Sequence, residues 1–140
     1  MENLISLKIP SGWAITYNQF VDEPAEINEN GSIENWDAYK ESLLQIQRLD
    51  LKDGAHYIPE TTLLIDLGWT PEATASGAFK LVLVFKNPHN DMAWESISEF
   101  NSQDRFEVQA KIEEWLYKLS VRYSRDMTPK QVAKMLTFEI

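Results

Sequence analysis

The sequence contains no cysteine. Disulfides, thiolate metal sites and cysteine nucleophiles are therefore excluded, and a reducing compartment is expected. No stretch approaches the roughly 20 apolar residues that a membrane helix needs. The first eight residues lack both the basic and the long apolar part of a secretory signal. Together these absences predict a cytoplasmic protein.

The motifs that mark common catalytic sites are also missing. The five glycines are scattered, so no phosphate-binding loop can be assembled, and there is no G-x-S-x-G. The two histidines, His56 and His89, fall in predicted loops and have no second histidine at metal-binding spacing. We therefore expect a protein that is not an enzyme and has no catalytic residue, no cofactor and no metal site.

Four carboxylates have to be considered as possible exceptions to that expectation. Asp22, Glu23 and Glu26 lie close in sequence but lack the spacing of a calcium loop. Asp66 shares a predicted strand face with Leu64 and Gly68, so it could serve a small hydrolase together with His56 or His89. The interpretation that we favour places Asp66 on the solvent face of a half-covered sheet.

Length and composition favour one ordinary domain spanning 1–140. The chain has 140 residues, of which 44% are hydrophobic and 25% charged, and it carries sixteen aromatic residues. These values are typical of a globular domain that can bury a substantial core without staples. No internal repeat or flexible linker divides the sequence.

The net charge of −9 is unevenly distributed. Residues 1–37 hold seven acids and one base, whereas residues 105–140 hold five acids and seven bases. Such a field repels nucleic acid and anionic membranes and attracts a basic partner. Solubility alone also explains an acidic composition, and that explanation stays open.

The N-terminal half shows patterns of both strand and helix. Alternation predicts strands over Leu4–Ile9 and Trp13–Phe20, joined as a hairpin at Pro10–Gly12. A polar, acidic loop over Val21–Asn35 follows. Apolar residues at helical spacing then predict a helix from Trp36 to about Arg48, and Asp50–Pro59 is expected to be a connecting loop.

The C-terminal half gives clearer patterns. Strands are predicted over Thr61–Trp69, Ala78–Lys86 and Met92–Phe100, followed by a helix over Asp104–Tyr123. Thr128, Pro129 and Gln131 form the capping-box pattern of a short last helix. The expected fold is α+β, an antiparallel sheet of about five strands with two main helices on one face and a short C-terminal helix.

Aromatic residues beside turns are candidate interface anchors. We expect Trp13 and Trp69 to continue strand faces into the core, whereas Trp94 could face a partner. The predicted helix stripes assign three further aromatic residues to the core, namely Trp36, Tyr39 and Trp115.

Several segments together resemble a known family. They are Ile9-Pro10-Ser11-Gly12-Trp13 with Tyr17 and Phe20, Leu64–Pro71, Phe79–Val84, Trp94 with Glu99-Phe100, and Ile112–Leu116. This pattern of turns and core aromatics, which extends to about Leu119, resembles small immunity proteins of bacterial polymorphic toxin and contact-dependent growth inhibition systems.

The resemblance implies a cytoplasmic protein that binds and neutralises a cognate toxin. A nuclease toxin would offer a basic surface, which an acidic inhibitor recognises through steering and complementarity. A non-catalytic adaptor or a secretion chaperone is the alternative, and the sequence leaves the oligomeric state open. The predicted partner-binding residues are Asp22, Glu23, Glu26, Glu29, Glu34, Asp37, Glu41 and Trp94.

Overall fold

The computed structural model describes residues 3–89 and 93–137. Within these residues, seven strands and two α-helices follow one another, with a 3-10 turn at Trp36–Ala38. The strands are β1 (Trp13–Asn18), β2 (Leu44–Arg48), β3 (Asp50–Lys52), β4 (Ala55–Tyr57), β5 (Thr62–Thr70), β6 (Ala78–Lys86) and β7 (Trp94–Ser102). The helices are α1 (Arg105–Arg122) and α2 (Pro129–Leu136).

Five of the strands form one antiparallel sheet in the order β1-β2-β5-β6-β7. Its longest ladder joins β5 to β6, from Thr62 opposite Lys86 to Thr70 opposite Ala78. The predicted α+β class with a five-stranded antiparallel sheet is confirmed. The start of the last strand had been predicted at Met92, which lies outside the described residues, and β7 is seen from Trp94.

The core lies between the sheet and the helices. Alternate residues of β5 and β6, such as Ile65 and Leu83, are fully buried, as is Ile112 of α1. Each large aliphatic side chain buried in this way contributes about 1.5–3 kcal/mol to folding. The buried stripe of α1 consists of Val108, Ile112, Trp115, Leu116 and Leu119. The helix α2 contacts both β7 and α1.

The two C-terminal helices begin where the sequence predicts. The carboxylate of Asp104 accepts a hydrogen bond from the amide of Phe106 and caps α1. Thr128 accepts from the amide of Gln131, whose side chain accepts in turn from the amide of Thr128. Both ends of the capping box are therefore present. No helix among the described residues has both the length and the apolarity required to cross a membrane.

The helix predicted over Trp36–Arg48 is wrong. Its second half is the strand β2, in which Leu44 and Ile46 are completely buried while Gln45 and Gln47 lie on the other face. Leu44 is paired with Leu67 of β5, and the pairing supplies backbone hydrogen bonds that a helix would have made internally. A short apolar run fits the period of a strand as well as that of a helix. Here the pairing with β5 determines the structure. Of the two main helices that were predicted, the structure therefore contains one in the described residues, namely α1.

The hairpin predicted between Leu4–Ile9 and Trp13–Phe20 is also wrong. The strand β1 exists, but it pairs with β2. Residues 4–9 make only a single bridge, between Leu4 and Val21, and continue along α1. There the Nε2 atom of Gln109 donates to the carbonyl of Ser6 at 2.6 Å. Among the described residues, the N-terminal segment therefore does not form a strand beside β1.

The segment predicted as a loop over Asp50–Pro59 contains the small hairpin β3–β4. Asp53 and Gly54 form its turn with φ values of 52° and 80°. Positive φ at both central residues is typical of a type I′ turn, for which Asp-Gly is a preferred sequence. The dipeptide was visible in the sequence, but strands of three residues are too short to show a pattern.

Candidate protein-binding surface

The strongest candidate site is the acidic segment, which we define as residues 22–41. It holds seven carboxylates and one base, Lys40. Its backbone is ordered by short bridges, one joining Ile27 to Ile33 and one joining Ser32 to Thr74 in the β5–β6 connection. The amide of Ile33 donates to the carbonyl of Ala73 at 2.9 Å. The segment therefore has a defined conformation in spite of its length.

A cluster of buried aromatic rings supports this segment from below. Tyr39 packs edge-on against Trp69, with 4.9 Å between ring centroids, and Trp69 packs in the same way on Phe79. The hydroxyl of Tyr39 donates to the backbone carbonyl of Glu23. A tyrosine hydroxyl is protonated at neutral pH, and burial raises the pKa of Tyr39 further, so the group remains a hydrogen-bond donor. The indole of Trp69 donates to the carbonyl of Thr74, which fixes the neighbouring connection as well.

Six of the seven predicted acids of this segment are exposed, and Glu23 is half-buried. Asp22 forms an ion pair with Arg105 at 2.7 Å, which ties the segment to the start of α1. Among the residues described here, none of the other six carboxylates lies in an ion pair with a basic side chain. Asp37 lies in the 3-10 turn and Glu41 in the extended chain before β2, not on a helix. The seven acids thus belong to one ordered stretch of surface, and six of them carry negative charge that no ion pair among the described residues compensates.

Two large apolar side chains are exposed within the acidic segment. Ile27 is 60% exposed and Trp36 is 56% exposed. The prediction that Trp36 is a core residue is therefore wrong, whereas Tyr39 and Trp115 are buried as predicted. The ammonium group of Lys40 lies 5.2 Å from the centroid of the Trp36 ring, at the distance of a cation–π contact. The apolar pattern predicted for Trp36 concealed its exposure, whereas Ile27 lies in the segment that was predicted to be a polar loop.

The remaining tryptophans divide as predicted between core and surface, but Trp94 is far from the acidic segment. Trp13 and Trp69 are buried, and Trp94 is 52% exposed at the start of β7. Trp94 pairs with Lys86, whereas the β5–β6 connection that supports the acidic segment begins beside Ala78. Those ends of β6 are about 27 Å apart at the usual rise per residue of a strand. The structure therefore does not bring Trp94 together with the predicted acids.

Asp66 and the two histidines are also not brought together. Asp66 is opposite Val82 in the middle of the sheet, while His89 follows the end of β6 and contacts Glu60 at 2.6 Å. Four residue pairs separate Asp66 from that end, which is about 13 Å. His56 lies in the β3–β4 hairpin, opposite Leu51. Burial raises the pKa of Asp66, and a hydrogen bond with Gln45 opposes that shift.

Within residues 3–89 and 93–137, no three side chains of histidine, aspartate or glutamate converge as they would around a metal ion. Comparison of the chain with models of protein families, with curated proteins and with solved structures found no match. The functional argument therefore starts from the surface itself.

Proposed function

We propose that this protein is an immunity protein, which binds and neutralises a toxin whose surface is basic. The observation that carries the proposal is the acidic segment, in which Trp36 and Ile27 are exposed and six of the seven carboxylates have no ion-pair partner in the described part of the chain. The sequence resemblance suggests that the partner is a toxin, and the negative charge of the acidic segment suggests that the surface of this toxin is basic. The protein itself performs no catalytic step in this proposal.

The charges suit an inhibitor that has to act quickly. Carboxylates on one surface raise the rate of encounter with a basic protein, and this effect weakens as the ionic strength rises. Association without steering proceeds at about 10⁵–10⁶ M⁻¹s⁻¹, whereas steered pairs reach about 10⁸ M⁻¹s⁻¹ or more at low salt. We therefore expect a fast association that depends steeply on salt.

Order and exposed apolar groups suit an inhibitor that has to bind tightly. A segment already held by the Tyr39 hydroxyl and by the bridge to Thr74 loses little conformational entropy when it binds. Tryptophan is among the residues that most often dominate interface energies, and surrounding polar groups exclude water from it. Trp36 is accordingly the proposed anchor of the contact.

The test uses the toxin domain encoded beside this chain's gene, co-expressed with variants of the protein. Replacing Glu26, Glu29 and Glu34 by glutamine should lower the association rate by tenfold or more at low salt and reduce protection of the cell. A control variant, Asp53→Asn with Glu60→Gln and Glu107→Gln, removes the same charge from exposed positions elsewhere and should protect as the wild type does.

The anchor is tested separately. Trp36→Ala should weaken binding by roughly 30-fold or more, about 2 kcal/mol, mostly through faster dissociation. Because Trp36 is largely exposed, the variant should unfold at the same urea concentration as the wild type. Undiminished protection by both the charge variant and Trp36→Ala would refute this placement of the interface.

A further inference from the structure

The chain contains a single Asn-Gly dipeptide, Asn30-Gly31, which lies at the tip of a hairpin within the acidic segment. The bridge between Ile27 and Ile33 closes this hairpin. The amide of Gly31 donates to the carbonyl of Asn28 at 3.1 Å, and Gly31 has a φ of 83°. A turn followed by a residue with positive φ is a common hairpin connection, and glycine is the residue that adopts such a φ most easily. The fold therefore favours glycine directly after Asn30, which is exposed.

The side chain of Asn30 is folded back over the backbone that follows it. Its Oδ1 atom accepts a hydrogen bond from the amide of Ser32 at 3.1 Å, which is the contact of an Asx turn. The same amide is shared with Oδ1 of Asn28, at 2.9 Å. The contact with Ser32 keeps the side-chain carbonyl of Asn30 beside the peptide bond to Gly31. It also places an N–H donor at the oxygen on which negative charge develops when a nucleophile attacks that carbonyl.

The nucleophile that can reach this carbonyl is the backbone nitrogen of Gly31. Its attack on Cγ of Asn30 closes a five-membered ring, and groups linked in this way react far faster than separate molecules. A side chain on the attacking residue would crowd the approach, but glycine has none. Apart from its chain neighbours, no atom of the described residues lies within 4 Å of the place where a Cβ of Gly31 would stand. The ring can therefore form without displacing another part of the fold.

Two features oppose the reaction. The amide of Gly31 has to lose its proton before it can attack, and the carbonyl of Asn28 holds that proton. The negative charge of the surrounding segment also disfavours the loss of a proton. However, exposed hydrogen bonds at loop tips open at a free energy far below that of global unfolding. We therefore expect these two features to slow the reaction without preventing it.

We propose that Asn30 is a modification site, at which the chain deamidates spontaneously through a cyclic imide formed with Gly31. The nitrogen of Gly31 loses its proton and bonds to Cγ of Asn30. The bond between Cγ and Nδ2 breaks, and Nδ2 takes up a proton and leaves as ammonia. Water then opens the imide at either carbonyl, which gives aspartate or isoaspartate. The reaction consumes one water molecule and involves no oxidation or reduction.

Either product adds one carboxylate to the acidic segment. Seven acids and one base give this segment a charge of −6, and one further carboxylate makes it −7. The added charge strengthens the attraction of a basic partner, whereas isoaspartate also lengthens the backbone of the turn by one atom. This inference does not depend on the proposed function, because the reaction requires water and no partner.

Mass spectrometry of the purified, folded chain tests the proposal, with the protein kept at mildly alkaline pH in water enriched in heavy oxygen. Asn30 should take up one heavy oxygen atom at least tenfold faster than Asn101, which is followed by serine and paired with Lys80 in the β6–β7 ladder. Ion exchange should resolve a more acidic form of the protein as the reaction proceeds. Asn30→Gln should abolish that form, because glutamine would have to close a larger ring.

The same measurement on the chain unfolded in guanidinium chloride isolates the contribution of the fold. The Asx turn favours the attack and the bond to Asn28 opposes it, so the rate at Asn30 in the folded chain should stay within tenfold of the unfolded rate. If Asn30 remained unchanged in the folded chain while it reacted in the unfolded one, the proposal would be overturned. A folded chain in which Asn30 reacts no faster than Asn101 would overturn it as well.

Discussion

The close approach of two backbones at Gly68 offers a sharp test of the fold that supports the acidic segment. Gly68 lies in β5, and a Cβ atom placed on it would be only 1.8 Å from the carbonyl oxygen of Glu41. The obstacle is backbone, so no side-chain rotation can relieve the clash. In Gly68→Ala, the chain around Glu41 must therefore retreat by about 1.6 Å before the contact becomes ordinary.

The expected loss of stability follows from the hydrogen bonds on either side of this contact. The amide of Leu43 donates to the carbonyl of Leu67 at 2.8 Å, and the amide of Trp69 donates to the carbonyl of Lys40 at 2.7 Å. Loss of two such bonds costs about 2 kcal/mol, and overpacking adds about 1–3 kcal/mol. A total of about 3–5 kcal/mol is a large part of the 5–15 kcal/mol that stabilises a typical domain.

Urea unfolding followed by tryptophan fluorescence measures this loss. With a slope of about 2 kcal/mol/M, the midpoint of Gly68→Ala should fall by about 1.5–2.5 M. Gly54→Ala is the matched control, because Gly54 has a φ of 80° with no atom within 4 Å of the added Cβ, so it isolates backbone strain. Strain of that kind costs about 1–2 kcal/mol. If Gly68→Ala were no worse than Gly54→Ala, the reasoning from the backbone contact would be refuted.

Three further predictions concern single side chains. Burial raises the pKa of Asp66 above its ordinary 3.8, so the buried charge costs stability above the folded pKa and costs nothing once the carboxyl is protonated in both states. Asp66→Asn should therefore raise the urea midpoint at pH 7, by a margin that shrinks as the pH falls toward 3.8; a margin independent of pH would contradict this. Thr128→Ala removes the acceptor for the amide of Gln131 and should cost about 1 kcal/mol in the same assay, whereas Thr128→Ser should cost much less. Leu116→Ala opens a cavity at a fully buried position and should cost about 2–5 kcal/mol, a loss that a midpoint within error of the wild type would exclude.

The elements predicted correctly from the sequence are those in which one periodic pattern persists over many residues. The strands β5 and β6 each run for nine residues, and α1 for eighteen. Over such lengths a period of two cannot be mistaken for a period of 3.6. Capping chemistry then located the start of α2 through Thr128, since this residue bonds to the backbone locally.

The elements predicted wrongly are those whose structure is decided by partners far away in the chain. The strand β2 has only five residues. Its place between β1 and β5 can be recognised only when the whole sheet is known. The same absence of distant information produced the false hairpin before β1. Local propensity favoured pairing of adjacent segments, whereas β2 provided β1 with a partner about thirty residues later.

The error over the helix and the failure to recognise Trp36 as a surface residue have one cause. On a helix, Trp36 would share a face with Tyr39 and Leu43, and all three would be buried together. In the structure the 3-10 turn ends at Ala38, so Tyr39 turns inward and Trp36 outward.

The exposure of the acids was easier to predict, because a carboxylate without a partner has to stay in water wherever the chain goes. An apolar residue has no such constraint, and its exposure becomes visible only when the backbone is known. The proposed anchor is therefore the part of the surface that depends most on the fold, and Gly68, which fixes the chain at Glu41, helps to determine where the anchor stands.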